Sequence, residues 1–241
     1  MKILNLVIFN EGVNYNRMRL VLSSLYQRIP FVDTWFLSCS GSTGTLFVHD
    51  KTSLILDGNE SVVPGLLRKT INASLRLRHV IEESDYVVRS NVSTVVNFLK
   101  IPFGAFKEAS IDYFGASQLQ LEWLDPPSGI ADTTMFGTRF ITGSCMCFSS
   151  SIYLRMLDDR ESLDYSVIDD VSIGSYISSK FRQISPHQFP ENRVAGYRNP
   201  VSSISEIQKL QRGDFLYAAR FKSDNRDLDT ELMAQYVSES F

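Results

Sequence analysis

The sequence holds few of the residues on which metal, disulfide and nucleophile chemistry rest. Its 241 residues include three cysteines and three histidines. Cys39, Cys145 and Cys147 are too few and too unevenly spaced for a disulfide framework or a zinc site. Cys145 and Cys147 lie two apart, so in a strand they point the same way, as small buried hydrophobes. His49, His79 and His187 show no metal-ligand spacing, and His79 reads as a structural residue of an amphipathic helix. No glycine-rich phosphate loop of either common pattern and no nucleophile elbow is present, which leaves a serine or cysteine triad unsupported. There is no excess of one charge: 24 Lys and Arg stand against 27 Asp and Glu, a net charge of -3. That balance makes no electrostatic case for nucleic acid or an anionic membrane. The one N-terminal hydrophobic run, MKILNLVIFN, is too short to span a bilayer and has no small-residue cleavage site behind it. The expectation is a cytoplasmic protein with no membrane span, in which the Asn-x-Ser sequons at Asn59, Asn72 and Asn91 carry no weight.

What the chain does have is 44% apolar residues, enough for one sizeable core and one α/β domain over residues 1–241. Apolar runs alternate with helical patterns. A buried strand is expected from Ile3 to Phe9, then a helix over NYNRMRLVLSSLY with Met18, Val21, Leu22 and Leu25 on one face. Short strands follow at TWFLSCS, TLFVHD and SLILDG, each closed by polar residues or Gly. The clearest helix runs from about Val63 to Ile81, with Leu67, Ile71 and Leu75 in one row and Pro64 in its first turn. DYVVRSNVSTVVNF is the next strand, interrupted by the polar triplet Arg89-Ser90-Asn91. Leu99 to Asp112 reads as loop, YFGASQLQLEWL as one or two strands, and RFITGSCMCFSS as a strand with a Gly-Ser kink. SSIYLRMLDD is a helix capped by Ser149 or Ser150, and IDDVSIGSYISS is a helix with two aspartates at its start. A closing helix carries Leu228, Leu232 and Tyr236 on one face. The result is a mixed sheet with helices on both sides, an architecture that says little about function.

Three constellations carry chemistry. Asp169-Asp170 opens a helix, where aspartate caps free N–H groups and meets the positive end of the helix dipole. The other reading frees one carboxylate to take a proton from an incoming hydroxyl, with Asp169 capping and Asp170 presented to a crevice. Gly174, one turn in, clears that face for a ligand. Arg220, Lys222 and Arg226 form a basic run near the C-terminus: a solvated face by default, a clamp on a diphosphate in the functional reading. Arg193, Tyr197, Arg198 and Asn199 form a smaller group of the same kind. Gly143-Ser144 interrupts an apolar strand, as a packing bulge or a ligand wall.

In their order these pieces resemble the β-1,3-galactosyltransferase and Fringe superfamily, glycosyltransferases of the GT-A fold. That family has an amphipathic helix containing LTLKT, a strand, and a motif such as KTDDDVFVN. Here GLLRKTINASLRLRHVIEESDYVVRSNVSTVVN follows the same course, with Lys69-Thr70 and Arg89-Ser90 in the places of the two Lys-Thr pairs and Asn97 as the closing Asn. A Ser-Gly-Ala-Gly type strand, a short helix and a DDCTIGYI or EDVYVG motif come next in the family. FITGSCMCFSSSIYLRMLDD and IDDVSIGSYI stand in matching order here. The resemblance covers about residues 60 to 180 and rests on ordered motifs rather than close identity.

It implies transfer of a sugar, with inversion, from a nucleotide diphosphate to a hydroxyl of a glycan acceptor. The family's general base maps onto Asp170, with Asp169 beside it as the other candidate. Phe9, Asn10, Glu11 and Asp57 fall where the fold holds the base and ribose of the donor, uridine being favoured. Gly143 and Ser144 fall on the acceptor wall, and Lys69, Arg89, Ser90 and Arg198 join the donor side. The chain departs from the family where the metal-binding Asp-x-Asp is replaced by Asn91-Val92-Ser93, which leaves a hard cation no anionic anchor. A late histidine present in many members is also absent from DFLYAARFKSDNR. The implied enzyme requires no cofactor, with Mn or Mg disfavoured, and uses Arg220, Lys222 and Arg226 on the leaving diphosphate and Asn91 on sugar or ribose hydroxyls. Two alternatives stand: a metal-dependent transferase using other ligands such as Asp85 or His187, and a non-catalytic glycan- or nucleotide-binding module.

Overall fold

A computed structural model of the chain describes residues 1–40, 47–50, 52–197, 199–203, 205–206, 208–209 and 216–241, with backbone alone for 47–50. The first half runs β1 (Ile3–Ile8), α1 (Val13–Tyr26), β2 (Val32–Ser40), β3 (Phe47–Asp50), β4 (Ser53–Asp57), α2 (Gly65–Arg76), α3 (Arg78–Glu82), β5 (Tyr86–Asn91) and β6 (Thr94–Val96). Then come α4 (Phe103–Glu108), β7 (Tyr113–Gly115), β8 (Gln118–Gln120), β9 (Arg139–Ile141), β10 (Cys145–Ser149) and α5 (Ser150–Asp158). The chain closes with α6 (Asp169–Lys180), β11 (His187–Gln188), β12 (Val194–Ala195), β13 (Ala218–Arg220) and α7 (Arg226–Ser240).

Eight strands form the main sheet in the order β11-β7-β10-β5-β1-β2-β4-β3. β1 is parallel to β2 and β5, β2 is parallel to β4, and β10 runs antiparallel between β5 and β7. All six residues of β1 are buried, as a central strand covered on both faces requires. Successive side chains alternate between two cores. Ile3, Val7, Tyr86 and Val88 pack with Met18 and Leu22 of α1 and Leu232 and Tyr236 of α7. Leu4, Leu6 and Val87 pack on the other face with Leu67 and Ile71 of α2, Ile152 and Met156 of α5, and Ile173 and Ile177 of α6. Among the described residues, no helix is long and apolar enough to cross a membrane.

The helix expected over 63–81 is two. Leu77 leaves helical geometry at φ −93° and ψ 15°, and no Gly or Pro in the sequence marks the break. The buried face of α2 also differs from the apolar row, because Leu75 is exposed while Lys69, Thr70 and Ser74 are buried. Thr70 Oγ1 donates to Leu66 O at 2.9 Å and Ser74 Oγ to Thr70 O at 2.7 Å, so these polar groups satisfy themselves against their own helix. The stretch expected as loop contains α4, whose Phe103 is buried among Tyr86, Phe98 and Phe114. Ser149 does precede α5, but its hydroxyl meets Ser151 Oγ at 3.1 Å and caps no backbone N–H. His79 is exposed on α3 rather than packed. Cys145 and Cys147 are buried together in the first core, as their spacing predicts.

Candidate active site

β5 and β2 flank β1 on opposite sides, so the chain reverses its direction of sheet growth at β1. In open α/β sheets ligands bind outside the carboxyl ends of the strands at such a switch point. Ile8 of β1 is in register with Asn91 of β5 there, and beyond them lies a cleft of about 270 Å³. Phe9, Asn10, Tyr15, Glu60, Asn91 and Ser93 line it together with Arg220, Lys222 and Arg226.

These three cations come from the far end of the sequence because β13 pairs antiparallel with β6, placing Arg220 opposite Thr94. Phe221 N–H donates to Ser93 O at 2.8 Å and extends the pairing to the cleft edge. The following turn is held by Asp229 of α7, which is fully buried and accepts from Ser223 N–H and Oγ and from Arg226 Nη1 at 3.0 Å. Arg226 also stands 5.8 Å from the ring of Tyr15. Neither Arg220 nor Lys222 forms an ion pair with an acid among the described residues, and Arg220 Nε is buried without a partner. Burial lowers the Arg220 guanidinium below its usual range, and Arg226 and Arg89 push the same way against the opposing pull of Tyr197 and Asp170. Partial burial, then Arg220 and Arg226, lower the Lys222 ammonium. Like charges gathered at a cleft leave an electrostatic demand that an anion meets.

The pair Asp169-Asp170 is joined to Asn91 through Arg89, which bonds both Asn91 and Asp169. Asp169 and Asp170 open α6 behind the N-cap residue Ile168, which offers no side-chain cap, and of the pair it is Asp170 that accepts from a first-turn N–H, that of Val171. Asp169 is buried and its Oδ2 accepts from Arg89 Nη2 at 2.5 Å. Asp170 is half-buried, and its Oδ2 accepts from Gly143 N–H at 2.9 Å and its Oδ1 from Val171 N–H at 2.9 Å. The roles expected for the pair are thus rearranged: Asp169 neutralises a buried arginine, and Asp170 takes backbone donors. Burial, then the charge of Asp169, pushes the Asp170 carboxyl up to about 6, against the pull of Gly143 N–H and Arg89. A carboxylate raised into that range is a competent general base near neutral pH.

Several expected donor contacts fall elsewhere. Arg89 is 1% exposed and bound to Asp169, so it lies beneath the cleft rather than in it. Ser90 is buried on the opposite face of β5, where its hydroxyl donates to Asn5 Oδ1 at 3.4 Å. Lys69 is buried too, donating to Phe9 O at 3.1 Å and pairing with Glu60. Burial lowers its ammonium while Glu60 raises it. Asp57 is exposed and borders a different hollow, and Glu11 borders another with Arg19 and Ser38. Arg198 lies outside the described residues. Among the described residues, Gly143 and Ser144 line neither the cleft nor the cavity that borders it. A Cβ on Gly143 would lie 2.9 Å from Arg89 Nη1, so the glycine makes room for a side chain rather than a ligand. Gly174 likewise answers to packing, since a Cβ there would lie 2.4 Å from Phe140 Cβ. Asp85 precedes β5, at the far end from Asn91, and pairs with Lys107 at 2.5 Å. His187 belongs to the edge strand β11, its ring 5.8 Å from that of Phe106.

Sequence reasoning missed Glu60, Tyr15 and Asp229, and a cavity of about 610 Å³ that borders the cleft at Arg220. Tyr197, Asn199, Leu119, Thr142 and Glu191 line that cavity, so part of the smaller group around Tyr197 does reach a site. Arg193 instead stands 5.8 Å from the ring of Tyr217. Helical or strand periodicity carries no signal for Glu60, which lies in a connection. Asp229 was legible only as one more acid in a helix's first turn.

A divalent cation does not fit this donor set. Asn91 and Ser93 are uncharged, Glu60 is committed to Lys69 and to Cys39 N–H at 2.5 Å, and the other charged side chains lining the cleft are cations. Among the described residues, no group of three or more His, Cys, Asp or Glu side chains could hold a metal ion.

A glycosyltransferase involved in the glycosylation of the major capsid of PBCV-1 has the same architecture, with a TM-score of 0.52 over 98% of this chain and 100% of that one at 10% identity. The chain has the GT-A fold. The galactosyltransferase LgtC, in complex with donor and acceptor sugar analogues, aligns with a TM-score of 0.48 at 8% identity, over 100% of this chain and 96% of that one. No protein-family model and no curated protein sequence matches the chain.

Proposed function

We propose that this chain is a glycosyltransferase that moves a sugar from a nucleoside-diphosphate donor to a hydroxyl of a glycan acceptor, with inversion and without a divalent cation. The observation that carries the reading is the group Arg220, Lys222 and Arg226 lining one cleft with Asn91 at the ends of β1 and β5. The fold shared with a capsid glycosyltransferase supports the class of reaction. The ordered motifs shared with the β-1,3-galactosyltransferase and Fringe group support inversion, a uridine nucleotide and the role of Asp170.

In this reading the diphosphate lies against the three cations, which stabilise the charge released as the anomeric carbon–oxygen bond breaks. The nucleoside lies along Phe9, Asn10 and Tyr15, and Asn91 binds a sugar or ribose hydroxyl. The acceptor enters from the cavity beyond Arg220. Its oxygen forms the new bond to the anomeric carbon, its proton passes to Asp170, and the nucleoside diphosphate leaves. Each Asp170 oxygen has one backbone donor and retains a second lone-pair site for that proton.

The occupied state of both Asp170 oxygens also suits a purely structural carboxylate, which favours a non-catalytic nucleotide- or glycan-binding module as the second reading. A thermal-shift screen of nucleotide sugars identifies the donor, because a bound ligand stabilises by mass action. Transfer and donor hydrolysis are then measured with and without chelator, for the native chain and Asp170→Asn. Chelator-insensitive turnover lost in Asp170→Asn supports the transferase. Donor binding without turnover supports the module.

A further inference from the structure

Arg89 has an unusual position for an arginine: 1% exposed, in the interior of the main sheet, and adjacent to both halves of the site. Side-chain alternation along β5 directs Val87, Arg89 and Asn91 toward the α2 and α6 face. There Arg89 Nη2 donates to Asp169 Oδ2 at 2.5 Å and Nη1 to Asn91 Oδ1 at 2.9 Å, while Nε has no partner. The two Nη contacts therefore set the plane of the guanidinium. Gly143, in the β9–β10 connection, leaves the space that the guanidinium fills, since a Cβ there would lie 2.9 Å from Arg89 Nη1, and its N–H holds Asp170.

We propose that Arg89 is a positioning residue that locks the donor side of the cleft to the base: one guanidinium fixes the Asn91 carboxamide and the Asp169 carboxylate, and by filling the space that Gly143 leaves open it keeps the Gly143 N–H on Asp170. This rests on the glycosyltransferase reading above for its functional meaning, but its geometry does not depend on that reading. A lysine cannot perform the task, because a single ammonium lacks the planar fork that spans two acceptors in fixed directions. The charge of Asp169 raises the Asp170 carboxyl beside it, and Arg89 is the cation that touches Asp169. The other groups that feel this pair are few. Arg220 on β13 feels Asp170, Tyr113 on β7 feels both aspartates and Tyr153 on α5 feels Asp169, while Lys69 on α2 feels Arg89 itself.

The experiment compares the native chain with Arg89→Lys, which keeps the charge, and with Asn91→Ala, which removes only the cleft-side partner. Aspartate carboxyl carbons labelled with ¹³C are titrated by NMR in each protein without ligand, and Asp170→Asn assigns the resonance. Nucleoside-diphosphate affinity and the pH dependence of turnover are measured alongside, with thermal unfolding to establish that each variant is folded. Arg89→Lys is expected to raise the Asp170 titration midpoint by about one pH unit and to move the acid limb of turnover upward with it. It is also expected to weaken donor affinity to the same degree as Asn91→Ala, which leaves the Asp170 midpoint in place. An unchanged midpoint in folded Arg89→Lys overturns the proposal, as does a donor affinity equal to that of the native chain. If Asp170→Asn retains full turnover, the base assignment fails, and the NMR titration still decides whether Arg89 positions the pair. Should Arg89→Lys not fold, Gly143→Ala makes the same test, since its Cβ displaces the guanidinium and is expected to raise the Asp170 midpoint. An unchanged midpoint there overturns the proposal too.

Discussion

Two arginines within electrostatic reach of Asp170 behave as opposites. Arg89 is buried and bound to Asp169 and Asn91. Arg220 lines two cavities, has no ion-pair partner among the described residues, and shares the cleft with Lys222 and Arg226, while the acid there, Glu60, is already paired with Lys69. A paired, dry cation belongs to the framework, because its charge is already spent. An unpaired one beside like charges raises the energy of the empty protein, and an arriving anion relieves it. The two differ in what their removal should do.

The largest effect is expected at the aspartate itself. Asp170→Asn should lower turnover by about 10²–10⁴-fold, measured under saturating donor and acceptor, with the fold intact because the amide oxygen still accepts from Gly143 N–H. Next is Arg89→Met, which leaves Asp169 buried without its cation and should cost about 3–5 kcal/mol in denaturant unfolding. Arg220→Gln inverts that pattern. Nucleoside-diphosphate affinity should fall about 10- to 100-fold by calorimetry, the loss of a charge-assisted contact worth roughly 1.5–3 kcal/mol, while melting temperature stays level or rises. If Arg220→Gln unfolded the chain and Arg89→Met spared it, the contrast between them would collapse.

A smaller effect comes from pH. The Asp170 carboxyl titrates at about 6 when folded and near 3.9 when unfolded. Between those values the folded chain binds the extra proton, so this group favours folding below about 4, and that contribution is lost as pH rises through about 6. Activity runs the other way, rising with pH through about 6 as the base is freed. Melting temperatures of the native chain and Asp170→Asn should therefore converge at acid pH and separate above neutrality, with the variant the more stable. The smallest effect is ionic: added salt should weaken nucleotide binding, since exposed charge is screened over about 10 Å at 0.1 M.

The same contrast explains what was legible in the sequence. The sheet, the flanking helices and the start of α6 follow from periodicity, because apolar spacing reports directly which face is covered. The cluster Arg220, Lys222 and Arg226 was legible as a basic run, and its meeting with Asn91 depends on the pairing of β13 with β6, which no local pattern encodes. Arg89 and Lys69 misled for the opposite reason. A cation at a strand end or on a helix reads as exposed, and only tertiary structure supplies the Asp169 and Glu60 that bury them. Gly143 and Gly174 announced close approaches, and in both cases the approaching group was protein.

The central claim is that cations of the chain itself take the diphosphate. Calorimetric titration of UDP into the native protein, first in chelator and then in Mn or Mg, tests it most directly. The account predicts the same affinity in both, weakened in Arg220→Gln. Binding that appears only when the metal is added would contradict it.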